Sequence, residues 1–452
     1  MIPEADVMTI YALASGRGKA GIAVIRVSGP KSGAAIEALT ETFIPPPGTA
    51  RLRKIIDPRN NAEIDRGLVL FFPGPDSYTG EDIAEFHVHG GTAVIAAVLG
   101  GLGAVEGLRP AEPGEFTRRA FENGRLDLTR AEAVADLINA ETEGQRRQAV
   151  RQMEGAQAKI YEAWRAAILK NLAWIEAVID FPEEETPEQV PDDVWRGLER
   201  LKTEIDAKLG DSGVGERVRS GFRVAIVGPP NVGKSSLLNA LAKRDAAIVS
   251  DIAGTTRDVV EVHLEIGGFL MIVADTAGLR ESDDPIEREG TRRARETARR
   301  ADVALVVRDA SKKGATPSEE SIEAEERWIV WNKVDLLRGE DFKRLAKAED
   351  DGIFTSAATG GGIAALEERL TEFVEAQGYG GAGDAVITRA RHRRALEAAV
   401  GHLDEVLADR RRDLELIAED VRLASRELGR IIGRVDVEDV LDVVFRDFCI
   451  GK

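Results

Sequence analysis

Residues 228–235 form a glycine-rich segment whose residue types suit phosphate binding. They read GPPNVGKS, which fits the pattern G-x-x-x-x-G-K-S/T, between the apolar stretch FRVAIV and the helix-favouring SSLLNALA. In this context glycines let backbone N–H groups approach a phosphate, and the helix N-terminus adds the positive end of its dipole. Lys234 is expected to reach the β and γ phosphates, and Ser235 a magnesium ion. The segment predicts a nucleoside triphosphate site.

Further segments at strand ends would complete this site and select the base. LMIVADTAG (270–278) ends in Asp275, which suits magnesium through water, and Gly278, whose N–H can contact the γ phosphate. In IVWNKVD (329–335), Asp335 can accept hydrogen bonds from N1–H and the amino group of guanine, which adenine does not offer. SAATG (356–360) could meet the guanine oxygen through backbone N–H groups. This order of elements predicts a GTPase.

The position after DTAG departs from the Ras-like pattern. Ras-like proteins place a glutamine there to orient the attacking water, whereas this chain has Leu279. Leucine cannot polarise water, so another carboxylate or amide must do so. The stretch 280–289 (RESDDPIERE) holds candidates, although any one of its acids is typical of a solvated helix start.

The surrounding pattern indicates the elements that position these groups. Short apolar stretches at 21–29, 67–72 and 83–91 favour strands and 92–102 a helix, which predicts a small α+β domain. Between about 217 and 378 strands and helices alternate, as in a parallel sheet covered by helices.

Helical spacing flanks that segment on both sides and predicts one helical domain with the α/β domain inserted into it. Thr129 and Glu132 have the spacing of a capping box. One helical stripe is predicted for Ile160, Trp164, Ile168, Leu172, Ile175 and Ile179. Near the C-terminus a short helix is predicted over 436–448, delivering Cys449 and Lys452 to a fixed place.

Composition limits the function classes. The chain has 452 residues, enough for about three domains, and a net charge of −18, which disfavours general binding of polyanions. Its one cysteine, Cys449, excludes an internal disulfide framework. The sequence has no apolar run of membrane-spanning length and no secretory pattern at its N-terminus. It therefore predicts a cytoplasmic protein without stable membrane insertion.

The motifs together resemble the tRNA-modification GTPase family MnmE (TrmE), among the Era-like P-loop GTPases. The resemblance rests on GIAVIRVSGP, GEFTRRAFENGRLDLTRAEAVADLI, GPPNVGKSSLLNAL, DIAGTTRD, DTAGLR followed by IER, NKVD and the terminal FCIGK, and covers essentially the whole chain. It implies an N-terminal α+β domain (1–120) that binds tetrahydrofolate and dimerises. It also implies a helical domain (121–216 and 379–452) and an inserted Ras-like P-loop GTPase domain with a doubly wound sheet (217–378).

The resemblance also implies a function. With an FAD-dependent partner, MnmG, such proteins add an aminomethyl or carboxymethylaminomethyl group to carbon 5 of the wobble uridine of certain tRNAs. They work as homodimers, hydrolyse GTP in a potassium-activated reaction with magnesium, and use 5-formyltetrahydrofolate or a related folate.

Family roles carry over by position. Glu287 would position the attacking water, and Lys234 would act on the phosphates as the second catalytic residue. Ser235 and Thr256 would hold magnesium, whereas Asn231 with the carbonyls of Ser250, Ile252 and Thr255 would hold potassium, whose charge replaces an arginine finger. The residues that would contact GTP are Asn231, Val232, Gly233, Lys234, Ser235, Ser236, Ser250, Asp251, Ile252, Ala253, Gly254, Thr255, Thr256, Asp275, Thr276, Ala277, Gly278, Asn332, Lys333, Val334, Asp335, Ser356, Ala357 and Ala358.

The folate-binding positions implied are Arg26, Glu85, Arg125 and Lys452. Position 125 often holds lysine in the family, and arginine keeps the charge with a different donor geometry. From the residues alone, Arg26 is a strand-end charge and Glu85 an outward-facing strand residue. Cys449 is either a small buried apolar residue or a functional thiol beside the folate.

Two other function classes share these features. The first is an Era-like GTP-controlled switch for RNA binding or ribosome assembly, which has the phosphate loop and DTAG but performs no modification chemistry. A basic RNA-binding appendage would favour this class. The flanking helical blocks and the FCIGK tail argue against it. The short basic runs around 146–151 and 389–394 are typical of solvated faces. The third class, a folate-binding carrier with a dispensable GTPase, is tested by a GTPase-dead variant.

Overall fold

The computed structural model describes residues 8–180, 190–210, 213–244, 261–275, 296–312, 324, 326–377, 387–435, 441, 444–445, 448 and 450–451. The chain divides into two compact units. The first unit comprises 1–135, 152–198 and 402–452, and the second comprises 136–151 and 199–401. The predicted boundaries between the domains stay a prediction.

The first unit contains a six-stranded sheet in the order β3-β4-β5-β2-β1-β6. Neighbouring strands are antiparallel except for the parallel pair of β1 and β6. The strands are β1 Thr9–Leu13, β2 Ala20–Ser28, β3 Arg51–Ile56, β4 Glu63–Phe72, β5 Ile83–Gly90 and β6 Leu108–Pro110. The α+β prediction for this part is confirmed.

Alternation along the central strands decides which side chains this sheet buries. Ala23, Ile25 and Val27 of β2 are buried in one apolar core with residues of two helices, α1 (Ser32–Thr40) and α2 (Thr92–Leu102). Because successive strand residues point to opposite faces, Arg26 on β2 and Glu85 on β5 lie on the other face of the sheet.

The second unit contains a six-stranded sheet in the order β12-β11-β10-β7-β9-β8. Its strands are parallel except for β8, which is antiparallel to β9. The strands are β7 Phe222–Val227, β8 Glu261–Ile266, β9 Phe269–Asp275, β10 Val303–Asp309, β11 Glu326–Asn332 and β12 Ile353–Phe354. Val224 and Ile226 belong to one apolar core and Ala225 and Val227 to another, so β7 is covered on both faces. This is the predicted doubly wound sheet.

Both units also contain further helices. In the described part of the chain they are α3 Glu115–Glu122, α4 Leu128–Ile138, α5 Glu143–Met153, α6 Ala156–Asp180, α7 Asp192–Leu209, α8 Val214–Ser220, α9 Lys234–Arg244, α10 Gly339–Ala348, α11 Ile363–Ala376, α12 Ala390–Ala408 and α13 Leu414–Ile432. In the first unit α6 packs against α13. Within the described residues, none of the helices has the length and hydrophobicity needed to cross a bilayer.

Two local predictions about the helices were wrong in detail. The side chain that caps α4 is Asp127, whose Oδ1 accepts hydrogen bonds from Arg130 N (3.0 Å) and Thr129 Oγ1 (2.5 Å). Thr129 and Glu132 lie inside the helix and are buried. On α6 the predicted stripe is buried from Trp164 to Ile175, but Tyr161 and Val178 extend it in place of Ile160 and Ile179.

Candidate nucleotide-binding site

The loop between β7 and α9 has a backbone that requires its glycines. Gly228 has φ +144°, and a Cβ there would lie 2.4 Å from the carbonyl oxygen of Val307. Gly233 has φ +97°, and a Cβ there would lie 2.3 Å from Asn332 Nδ2. Between them, Asn231 adopts φ +63°. The predicted phosphate loop is therefore closely packed against the neighbouring strand ends, and larger residues would clash.

Lys234, the first residue of α9, is buried and folds back over this loop. Its Nζ donates to the carbonyl oxygens of Gly228 (2.9 Å) and Pro229 (3.0 Å). The ammonium charge therefore lies at the helix N-terminus, where the unsatisfied N–H groups also favour an anion. This arrangement can bind phosphate.

Hydrogen bonds join the phosphate loop to two of the segments predicted to read the base. The buried side chain of Asn332 donates from Nδ2 to Val232 O (2.9 Å), and its Oδ1 accepts from Ala357 N (3.0 Å). Ser356 Oγ donates to Asp335 Oδ1 at 2.5 Å, and Asp335 is exposed. Three of the predicted GTP-contacting segments thus meet at one edge of the sheet, and a hydrogen bond from Ser356 orients the exposed Asp335 carboxylate.

Other predicted site residues lie outside the described residues. These are Ser250, Asp251, Ile252, Ala253, Gly254, Thr255, Thr256, Thr276, Ala277, Gly278, Glu287, Cys449 and Lys452, together with Leu279. The backbone of Asp275 ends β9, paired beside Ile226 of β7. In the described part of the chain, no group of three or more His, Cys, Asp or Glu residues could hold a metal. The predicted magnesium and potassium ligands are hydroxyl, amide and carbonyl oxygens, which suit hard cations.

One contributor to the site was not predicted. Asp309 ends β10, beside Asn332 in the parallel pairing of β10 and β11, and its carboxylate binds Lys333. The sequence held a signal for it: VALVVRD is an apolar strand that ends in an aspartate, as LMIVAD does at Asp275.

On the other unit, the structure brings together two of the predicted folate-binding residues. Arg26 Nε donates to Glu85 Oε1 (3.0 Å), while His87 Nε2 lies 3.1 Å from Glu85 Oε2. The Arg26 guanidinium also lies 5.4 Å from the ring centre of Tyr78 and 5.8 Å from that of Phe116. The paired arginine and carboxylate can offer both donors and acceptors to a planar heterocycle.

The other described parts of this candidate site lie near the same strands. Arg125 pairs with Asp76 Oδ1 at 3.8 Å and packs beside Gly80. At the C-terminus, Ile450 bridges to Pro113, and Gly451 lies against Leu13 of β1, the strand that pairs with β2. The chain end is therefore held next to the sheet that carries Arg26 and Glu85.

The C-terminal segment reaches this place through apolar packing. Leu441, Phe445 and Phe448 are buried together with Leu128 and Ala131 of α4. These are apolar positions at helical spacing, but most of the predicted helix 436–448 lies outside the described residues.

A buried parallel sheet with a glycine-rich phosphate loop after its central strand and an NKVD loop two strands away defines a Ras-like P-loop GTPase domain. Two known protein families match this chain, and together they cover most of its length. The family described as "GTP-binding protein TrmE N-terminus" matches residues 9–125, and the "MnmE helical domain" family matches residues 128–449. The chain belongs to the MnmE family of tRNA-modification GTPases.

Full-length relatives carry corresponding names. The tRNA modification GTPase MnmE of Parvibaculum lavamentivorans is 54% identical over 98% of this chain and 100% of its own length. That of Rhodospirillum rubrum is 50% identical over 98% of this chain and 99% of its own. The mitochondrial GTPB3 subunit of a 5-taurinomethyluridine tRNA synthase from Danio rerio is 47% identical over 98% of this chain and 93% of its own.

Proposed function

We propose that this protein hydrolyses GTP and, with an FAD-dependent MnmG partner, adds an aminomethyl or carboxymethylaminomethyl group to carbon 5 of the wobble uridine of certain tRNAs. This proposal rests on the hydrogen bonds that connect the phosphate loop to Asn332 and the base-reading segments, which include Asp335 and Ser356. Its presence in a chain alignable end to end with tRNA modification GTPases supports tRNA as the substrate.

Guanine selection is assigned to Asp335 and the segment after β12. The Asp335 carboxylate can accept from both N1–H and the amino group of guanine, and Ser356 Oγ holds one of its oxygens at 2.5 Å. Ala357 and Ala358 follow with backbone N–H groups for the guanine oxygen. Adenine presents no matching donors on that edge, so it should bind weakly.

Catalysis is assigned to charge stabilisation around the phosphates and to one carboxylate. Lys234 contacts the phosphates, Ser235 and Thr256 hold magnesium, and Asn231 with the carbonyls of Ser250, Ile252 and Thr255 holds potassium. The two cations supply positive charge where negative charge develops on the transferred group. Glu287 orients the attacking water, a task that Leu279 cannot perform.

A folate, 5-formyltetrahydrofolate or a relative of it, is assigned to the N-terminal unit. Glu85 would accept from the heterocycle, while Arg26, Arg125 and Lys452 would bind its oxygens and carboxylates. The Arg26–Glu85 contact of 3.0 Å supports this because it fixes both groups on one face of the sheet. We further propose a cytoplasmic homodimer formed through this unit.

The Asp335→Asn variant tests the function through base choice and cellular activity together. Asparagine reverses one acceptor to a donor, so the variant should lose GTP affinity by about 2–4 kcal/mol and gain affinity for xanthosine triphosphate. Cells carrying only this variant should lack the modified wobble uridine in nucleoside analysis of their tRNA. Unchanged GTP affinity would remove the base assignment. Normal tRNA modification by a variant that no longer hydrolyses GTP would favour a folate carrier, and normal tRNA in cells lacking the protein would favour a binding switch.

Potassium dependence tests the catalytic assignment. Potassium should accelerate hydrolysis strongly and the smaller sodium ion should not, and Asn231→Ala should abolish the difference while GTP affinity changes little. Glu287→Ala should lower turnover without weakening GTP binding, as expected for a group that acts in the transition state. Wild-type turnover in the Glu287→Ala enzyme would contradict its role.

A further inference from the structure

Lys333 of the NKVD loop adopts a conformation that its surroundings must enforce. Its φ is +65°, in the left-handed region that residues other than glycine rarely occupy. Its Nζ donates to Asn231 O (2.5 Å) in the phosphate loop and to Asp309 Oδ2 (2.7 Å) at the end of β10. The ammonium group therefore joins two loops that come from different strands.

Asp309 is itself held rigidly. Its side chain is 4% exposed, and its Oδ1 accepts hydrogen bonds from Ser311 N (3.0 Å) and Ser311 Oγ (2.6 Å). Burial alone would raise the pKa of Asp309, but the hydrogen bonds from Lys333 and Ser311 outweigh it and hold the pKa below its ordinary value. The carboxylate is therefore charged and oriented at neutral pH.

These contacts form a chain of interactions from the strand end to both nucleotide loops. Asp309 lies beside Asn332 in the pairing of β10 and β11, so it is adjacent to the NKVD loop. A charged acceptor fixes the lysine ammonium more strongly than a neutral one would. Without it, Lys333 would keep only a carbonyl partner, and its unfavourable φ would be less well compensated.

We propose that Asp309 is a positioning residue for the guanine nucleotide, holding Lys333 so that the phosphate loop and the base-reading loop keep their relative position. This inference rests on the proposed nucleotide site. Asp309 acts through Lys333, which has no role in reading the donors of the base edge. Removing the Asp309 carboxylate should therefore weaken the binding of all nucleotides with the same phosphates, whichever purine they carry.

The test is the full-length Asp309→Asn variant, with GDP and inosine diphosphate as probes. Asparagine keeps the size of the side chain and removes its charge, so we expect affinity for both nucleotides to fall about tenfold by the same factor. The KM for GTP should rise while kcat at saturating GTP stays nearly unchanged. Asp335→Asn should behave differently, weakening GDP more than inosine diphosphate, because only guanine carries the exocyclic amino group.

Asp302→Asn is the matched control. Asp302 precedes the opposite end of β10 and makes a comparable set of bonds, to Arg217 NH1 (3.2 Å) and Arg223 N (2.7 Å), away from the phosphate loop. It should lower the melting temperature but leave nucleotide affinity within about twofold of the wild type, because it does not contact the nucleotide loops. If Asp309→Asn fails to fold, Ser311→Ala removes a hydrogen bond to the same carboxylate. It should lower the affinity for GDP and inosine diphosphate equally, by a smaller factor.

The outcomes separate the two proposals. Wild-type affinity of a folded Asp309→Asn variant, or a loss for GDP that inosine diphosphate does not share, would overturn the role of Asp309. An equal loss in Asp302→Asn would reduce that role to general stability. If Asp335→Asn also binds GDP normally, the nucleotide site itself is wrong and this inference falls with it.

Discussion

At the scale of single residues, Glu115 is the carboxylate on which a buried charge network of the first unit depends. It accepts from Arg109 NH1 (2.8 Å), Arg109 NH2 (2.5 Å), Arg119 NH2 (3.1 Å) and Glu112 N (2.8 Å). Burial would raise its pKa, but the bonds from Arg109 and Glu112 N and the charges of Arg109 and Arg119 outweigh it, so the pKa is lowered. The folded state therefore stabilises the ionised form.

The Glu115→Gln variant should be destabilised at neutral pH by about 2–4 kcal/mol, because it removes the carboxylate partner of Arg109 and leaves Arg119 paired with Glu81. A lowered folded-state pKa contributes stability above the ordinary value of 4.5, and this contribution is lost as the pH falls through the folded value. The difference in melting temperature between wild type and variant should therefore narrow as the pH falls below 4.5. Glu112→Gln is the control, because Glu112 is exposed, and it should change the melting temperature little. A difference between wild type and Glu115→Gln that does not change with pH would contradict the role of the Glu115 pKa in stability.

At the scale of elements, one carboxylate of α4 ties together both ends of the chain segment that carries the second sheet. Asp136 Oδ1 accepts from Arg219 Nε (2.8 Å), just before β7, and from Arg389 NH2 (2.7 Å), just before α12. The Asp136 side chain is only 11% exposed. Such a partly buried pair is costly to break because the remaining charges stay desolvated.

Asp136→Ala should therefore lower stability by about 3 kcal/mol, more than Arg219→Gln or Arg389→Gln alone, because it takes a carboxylate partner from two guanidinium groups at once. Thermal unfolding of the three variants measures this. Asp193→Ala is the control, since its ion pair with Arg196 has the same length of 2.7 Å but is exposed. Effects of similar size at Asp136 and Asp193 would show that burial does not matter here.

At the scale of the whole molecule, the position of the chain end depends on a glycine in the first unit. Gly451 has φ +96°, and a Cβ there would lie 2.1 Å from the carbonyl oxygen of Leu13. A side chain at this position must displace the terminal residues. Because the nucleotide loops belong to the other unit, the effect should be confined to the functions of the N-terminal sheet.

Gly451→Ala should weaken binding of 5-formyltetrahydrofolate in calorimetric titration by about tenfold, the scale of losing one charged contact such as that assigned to Lys452. Potassium-stimulated GTP hydrolysis should remain at the wild-type rate. Gly16→Ala is the control, because a Cβ there meets nothing within 4 Å. Unchanged folate affinity in Gly451→Ala would exclude the chain end from the folate site.

Local patterns in the sequence were sufficient to identify most of the elements and the nucleotide loops. The phosphate loop, NKVD and SAATG could be found because their residue types and order reflect chemistry that acts over a few neighbouring residues. Strands β2, β4, β5, β7, β9 and β11 and the stripe around Ile168 were predictable for a similar reason, since apolar runs and helical spacing report burial directly.

Only the tertiary structure decided which side chains meet. Sequence spacing suggested Thr129 as the cap of α4, but the helix begins at Leu128 and Asp127 caps it by accepting a hydrogen bond from Arg130 N. From the residues alone Glu85 was an outward-facing strand residue, and only the pairing of β2 with β5 shows that it lies against Arg26. Asp309 and Lys333 are separated by 24 positions. Their contact depends on the parallel register of two strands, and no local pattern encodes a distance between strands.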